Sequence, residues 1–280
     1  MDRKFIRECI TVIAHEGSAA SVLVVSTDED RQSFNSEVFR FSDIEVPPTQ
    51  IFQVDDWISS MWASSVGTYF LAGVLGDCFT NLSGSFARQQ ATTNRLFRIW
   101  GLHDHAVYAV GADGTCVRFD GARWLPMSEG LSGHLYAISG RQEDNLVCAG
   151  DGGFVARYDG ARWQPIELPT NAAFRAVHVI NREDLYLCGL DGACYLLRGG
   201  ELTSIDAGGH DLYAIEDFQG ETYFASAASG VFKIKGDHLV LVKDKARGYS
   251  LSATDRFLWS CGLEQTARFD GENWRKVDFN

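Results

Sequence analysis

His103-Asp104-His105 is the densest group of metal-type ligands in the chain, two imidazoles and a carboxylate in three residues. In an extended segment residues 103 and 105 share a side, but a stable site needs a third ligand close by. The aspartate also recurs: Asp104, Asp144, Asp184 and Asp255 each precede an apolar run. A carboxylate there accepts backbone hydrogen bonds within a turn, so a turn is expected and not a metal. No G-x-S-x-G nucleophile elbow, phosphate-binding glycine loop or CxxC pair occurs. The expectation is no catalytic residue, no metal and no cofactor.

Binding chemistry has more to work with. Asp113, Glu129, His134, Asp151, Phe174, Asp191, His210, Tyr249 and Glu264 all fall in predicted turns and in the longer, more varied loops. Carboxylates interspersed with aromatic rings suit recognition of a basic protein surface. The net charge of -12 points the same way and argues against nucleic acid, which needs a basic footprint. Lys243-Asp244-Lys245-Ala246-Arg247 is the one concentrated basic segment and reads as a solvated loop. The competing expectation is a glycan-binding, hydrolase or lyase site in an axial cleft, using His178, Glu216 and Asp191.

The elements that hold these residues follow from a repeat. Val117-Arg118-Phe119-Asp120-Gly121-Ala122-Arg123-Trp124 returns as Ala156-Arg157-Tyr158-Asp159-Gly160-Ala161-Arg162-Trp163. It returns again as Ala267-Arg268-Phe269-Asp270-Gly271-Glu272-Asn273-Trp274. Gly73, Gly111, Gly150, Gly189 and Gly262 keep the same beat, with Ser226 where a glycine is due. Ala137, Ala176, Ala214 and Ala253 mark another phase. A period near forty, built from short alternating strands and glycine turns, is the signature of a four-stranded propeller blade. The reading is an all-β, seven-bladed β-propeller of antiparallel blades in one domain over 1–280, with blades near 5–52, 58–89, 97–127, 135–168, 175–206, 212–242 and 249–278. Six blades with residues 1–50 as a cap is the alternative. The alanines should lie on inner strands and Trp124, Trp163 and Trp274 on outer ones. Both terminal blades look complete, so ring closure should rest on packing of the first blade against the last.

The string Val107-Tyr108-Ala109-Val110-Gly111, Asp113-Gly114, Arg118-Phe119-Asp120-Gly121 and Trp124 resembles a bacterial tandem-repeat β-propeller of the form "vyaVG-dGt-hyDG-W". The resemblance covers residues 97–280 well and 58–89 loosely. Propellers with such repeats serve as lectins, enzyme platforms, assembly factors and interaction domains. The Asp-box of sialidases and the WD dipeptide are absent. The combined expectation is a non-enzymatic propeller that binds another, basic protein, in the manner of a bacterial immunity or antitoxin-like protein or an assembly scaffold. Seven cysteines, an odd count, with Cys148, Cys188 and Cys261 beside strand glycines, and no apolar leader core in residues 1–8, suggest free thiols in the cytoplasm. No apolar run is long enough for a membrane span.

Overall fold

Each set of four short apolar runs, punctuated by glycine and aspartate turns, forms one antiparallel sheet of four consecutive strands in the computed structural model, which describes residues 5–28 and 33–279. Blade 1 holds β1 (Phe5–Ala14), β2 (Ala20–Asp28), β3 (Phe34–Phe41) and β4 (Thr49–Val54). Blade 2 holds β5 (Ile58–Ala63), β6 (Tyr69–Gly73), β7 (Asp77–Thr80) and β8 (Ala87–Gln90). Blade 3 follows with β9 (Leu96–His103), β10 (Ala106–Gly111), β11 (Cys116–Phe119) and β12 (Trp124–Pro126). In blade 4 these are β13 (Leu135–Gln142), β14 (Asn145–Gly150), β15 (Val155–Tyr158) and β16 (Trp163–Pro165). Blade 5 comprises β17 (Phe174–Val179), β18 (Leu185–Gly189), β19 (Cys194–Arg198) and β20 (Glu201–Ser204). Blade 6 runs through β21 (Ala214–Phe218), β22 (Glu221–Ser226), β23 (Gly230–Lys235) and β24 (His238–Lys243). Blade 7 ends with β25 (Ser250–Ala253), β26 (Leu258–Gly262), β27 (Gln265–Phe269) and β28 (Trp274–Asp278). The fold is therefore a seven-bladed β-propeller. Residues 5–54 form a true blade, and the alternative of six blades with a cap falls.

The blades divide between two compact units, Met1–Ile58 with Tyr213–Asn280, and Ser59–Leu212. Within the second unit, the first strands of successive blades, β9, β13 and β17, lie side by side and so are the inner strands. Trp124, Trp163 and Trp274 each open a fourth strand, opposite Phe119, Tyr158 and Phe269 respectively. The indole N–H of Trp163 reaches back to the carbonyl of Met127 at 2.8 Å, bridging blades 3 and 4.

The small-residue marker holds in three blades and slips in one. Ala137, Ala176 and Ala214 pair with Ala149, Cys188 and Ala225, each just before the marker glycine or its substitute. In blade 7 that register place belongs to Ser250, opposite Cys261, while Ala253 sits three residues further along opposite Leu258. In blade 3 it belongs to Arg98, opposite Val110.

The glycines exist because backbone passes close by. A Cβ on Gly111, Gly150 or Gly189 would lie 1.8 Å from the Arg95 carbonyl oxygen, 1.9 Å from that of His134 or 2.0 Å from that of Ala173. These carbonyls belong to the loops entering the same blades, so the second-to-third-strand turns lie against the inter-blade loops. Hydrogen bonds confirm it: Ala112 N–H donates to Arg95 O, Asp151 N–H to His134 O and Leu190 N–H to Ala173 O. One face of each unit therefore gathers both sets of loops.

In the first unit β1 packs directly on β25 and β26. Val12, Val22, Val24 and Phe41 of blade 1 share a core with Trp259, Cys261 and Phe279. The Val12 and Ala14 amides donate to Ser250 Oγ (3.3 Å) and Ser252 Oγ (2.9 Å). Arg268, buried on Phe257, pairs with Asp43 at 2.7 Å. Among the described residues no strand is exchanged, so the first and last blades meet through side chains and a few hydrogen bonds. All seven cysteines are buried and unbridged, and burial pushes the Cys116 and Cys194 thiols up to about 12. Among the described residues no helix is long and apolar enough to cross a membrane.

Candidate functional site

In the unit Ser59–Leu212 the second residues of three successive inner strands are Phe97, Tyr136 and Arg175. Phe97 and Tyr136 stack with centroids 5.0 Å apart and planes at 16°. The Arg175 guanidinium carbon lies 3.8 Å from the centre of the Tyr136 ring, a cation–π contact. Asp151 ties them together: it accepts the Tyr136 hydroxyl at 3.1 Å and pairs with Arg175 at 3.3 Å. Burial raises the Tyr136 pKa, and the Asp151 charge raises it further. His134 stands edge-on to Phe97 (6.0 Å), and its Nδ1 accepts the Asp113 amide at 3.3 Å.

Three of the predicted residues, Asp113, His134 and Asp151, thus converge on one cluster. Asp113 is the open end of it, with a side chain 78% exposed, whereas Asp151 is already matched by Arg175. Asp113 and Asp191 hold left-handed backbone (φ +53° and +54°), a conformation Asp tolerates better than most residues. Asp191 is exposed and its amide donates to Asp211 Oδ1 at 2.8 Å; His210, half-buried, shares that loop. Glu129 is exposed and borders a separate groove of about 470 Å³ formed with Tyr158, Arg162 and Trp163. In the other unit Tyr249 packs edge-on to Tyr213 at 5.3 Å, and Glu264 is exposed on the turn after β26.

Phe174 does not reach the rim. It opens β17 with its ring turned inward, is 0% exposed, and packs with Val155, Leu187 and Leu197. Phe97, Tyr136, Arg175 and Tyr213 escaped the sequence reading, although the repeat held a signal. Their position varies from blade to blade while the residue before it stays apolar: Leu96, Leu135, Phe174 and Leu212.

The remaining candidates separate. His178 pairs with Tyr186 near one end of β17, whereas Asp191 lies beyond the far end of β18. At about 3.3 Å per residue they are more than 10 Å apart along the strand and share no site. Asp104 accepts the Thr68 hydroxyl at 2.9 Å, a contact from blade 2 to blade 3 in place of the expected turn hydrogen bonds, and His103 sits 3.6 Å from Glu143. Among the described residues no three His, Cys, Asp or Glu side chains are grouped to hold a metal. On the opposite face Asp120, Asp159 and Asp270 each accept two backbone amides of their own turns. Those N–H groups hold the carboxyls below the usual range.

No known protein family matches the chain. Over 188 residues it is 34% identical to the immune protein Tsi7 of Pseudomonas aeruginosa, a match covering 64% of this chain and 48% of that protein. The chain spans about half the length of that curated relative. Among solved structures it resembles the WD40 β-propeller domain of Doa1, with a TM-score of 0.75, 12% identity and coverage of 95% of this chain and 92% of that one. It also resembles YCF48 bound to D1 peptide, with a TM-score of 0.68, 11% identity and 94% of each chain covered. These two likenesses establish the fold alone.

Proposed function

We propose that the chain is a non-enzymatic, protein-binding propeller of the immunity type, which binds a basic domain of a bacterial toxin in the cytoplasm and occludes it. The similarity to an immune protein is the observation that carries this reading. The clustered face supports it. Tyrosine and arginine held rigid by neighbours make strong interface anchors, because little side-chain freedom remains to be lost on binding. Phe97, Tyr136 and Arg175 are held in this way, and the open carboxylates Asp113 and Asp191 beside them would steer a basic partner.

Affinity capture from the source organism tests the reading with three baits. The unaltered chain should retain one basic protein at modest salt, and so should a variant with Asp120, Asp159 and Asp270 changed to Asn, which preserves their turn hydrogen bonds. Tyr136→Ala combined with Arg175→Ala should lose it. Capture that survives this pair and fails with the Asn set would put the partner on the opposite face. If no protein is retained by any bait, the reading falls.

A further inference from the structure

The basic segment that reads as a mere loop forms part of a notch of about 240 Å³ in the unit Met1–Ile58 with Tyr213–Asn280. Lys245 and Arg247 line it together with Lys276, Glu264 and Asp278. Ala246, 2% exposed, pins the middle of Lys245-Ala246-Arg247 into the core, so the two flanking cations stand clear of it. The Gln265 side-chain amide donates to the Lys245 carbonyl at 2.8 Å and fixes the loop. The adjoining turn is equally constrained: Leu263 holds φ +51° while its carbonyl accepts the Cys9 amide at 2.6 Å. Lys276 is neutralised by Asp278 at 2.8 Å. Among the described residues no carboxylate stands within ion-pair distance of Lys245 or Arg247.

We infer that this notch binds a single carboxylate, presented by an acidic side chain of the protein partner; the inference rests on the protein-binding reading above. Two cations without partners, on a fixed backbone, in a molecule of net charge -12, form a local exception to its field. The guanidinium offers a fork matched to a carboxylate, and the ammonium a second donor group. Glu264 and Asp278 set the upper limit on charge. With three cations and two carboxylates the notch carries about one net positive charge, which suits a monoanion and disfavours a phosphate dianion. An acidic chain that recognises a basic partner thereby gains one contact of opposite sense, which would fix orientation and reject partners lacking the acid.

The probe is N-acetylglutamate amide, which carries one carboxylate, titrated into the intact chain and followed by amide NMR. N-acetylglutamine amide and inorganic phosphate serve as comparisons. The glutamate probe should give saturable shifts at residues 245–247 and 263–265, the glutamine one none, and phosphate weaker ones. Lys245→Gln with Arg247→Gln should weaken binding of the glutamate probe about tenfold and leave the rest of the spectrum unchanged. Absent shifts, unchanged binding by the double variant, or tighter binding of phosphate would each overturn the inference. No partner is needed, so this outcome is independent of the capture experiment on Tyr136 and Arg175.

Discussion

Arg175 sits where composition promises only acid, and its pairing with Asp151 cancels one of the charges that would otherwise draw a basic partner. The steering charges are therefore the open carboxylates. Changing Asp113 and Asp191 together to Asn, which tolerates the left-handed backbone, should slow association severalfold and flatten its salt dependence. Stopped-flow mixing with the captured partner at two salt concentrations checks this; an unchanged rate would remove both residues from the encounter surface. Asp151 answers to a different measurement. Burial and then the Asp151 carboxylate raise the Tyr136 pKa, so Asp151→Asn should bring it down, as read from a tyrosine-ring NMR pH titration. Phe174, predicted for the rim and found in the core, gives a stability effect instead. Phe174→Ala should cost about 3–5 kcal/mol in denaturant unfolding.

Among elements, the strands and turns were legible because their signals are local: Asp-Gly turns, period-two alternation and the outer tryptophans are each decided within a few residues. Less legible was whatever depends on a neighbouring chain segment. Ser226 stands where a marker glycine is due, just after the Ala214–Ala225 pair, and its hydroxyl accepts the Ser229 amide at 3.3 Å. Ala253 seemed in phase by spacing alone, yet the strand register gives the place to Ser250. The first blade carries no marker residue and shows itself only by apolar alternation. The candidate site was half visible: its turn residues announced themselves as Asp113 and Asp151, but the stack through Phe97, Tyr136 and Arg175 needs three strands from three blades. The glycine argument makes a paired prediction. Gly150→Ala should destabilise the fold by roughly 3 kcal/mol or more, since its Cβ would overlap the His134 carbonyl, whereas Ser226→Ala should cost about 1 kcal/mol for one lost hydrogen bond. Equal losses would refute the close-approach explanation.

At the scale of the whole molecule, two groups in the unit that joins blades 1 and 7 make stability depend on pH. Partial burial raises the Asp43 pKa, but the Glu45 amide and the Arg268 guanidinium outweigh it and hold the carboxyl at about 2. Its folded value lies below the unfolded one, so its contribution is present above pH 4 or so and fades as pH falls towards 2. His15 is held down to about 4, first by burial and then by Arg40. The unfolded chain takes up that proton near 6.5, so stability should already decline between pH 6.5 and 4. Denaturant midpoints measured across this range should show both stages. His15→Gln should abolish the upper stage, and Asp43→Asn should lower stability by about 2 kcal/mol at neutral pH while flattening the lower one. The junction of these blades has a mechanical consequence as well. Among the described residues every ladder is completed within its own blade, and β1 meets β25 and β26 through side chains and scattered hydrogen bonds. Under tension applied through β1 and β28, the first rupture would part blade 1 from blade 7 with both sheets intact, at a force set by how apolar surfaces peel and not by the shearing of a strand.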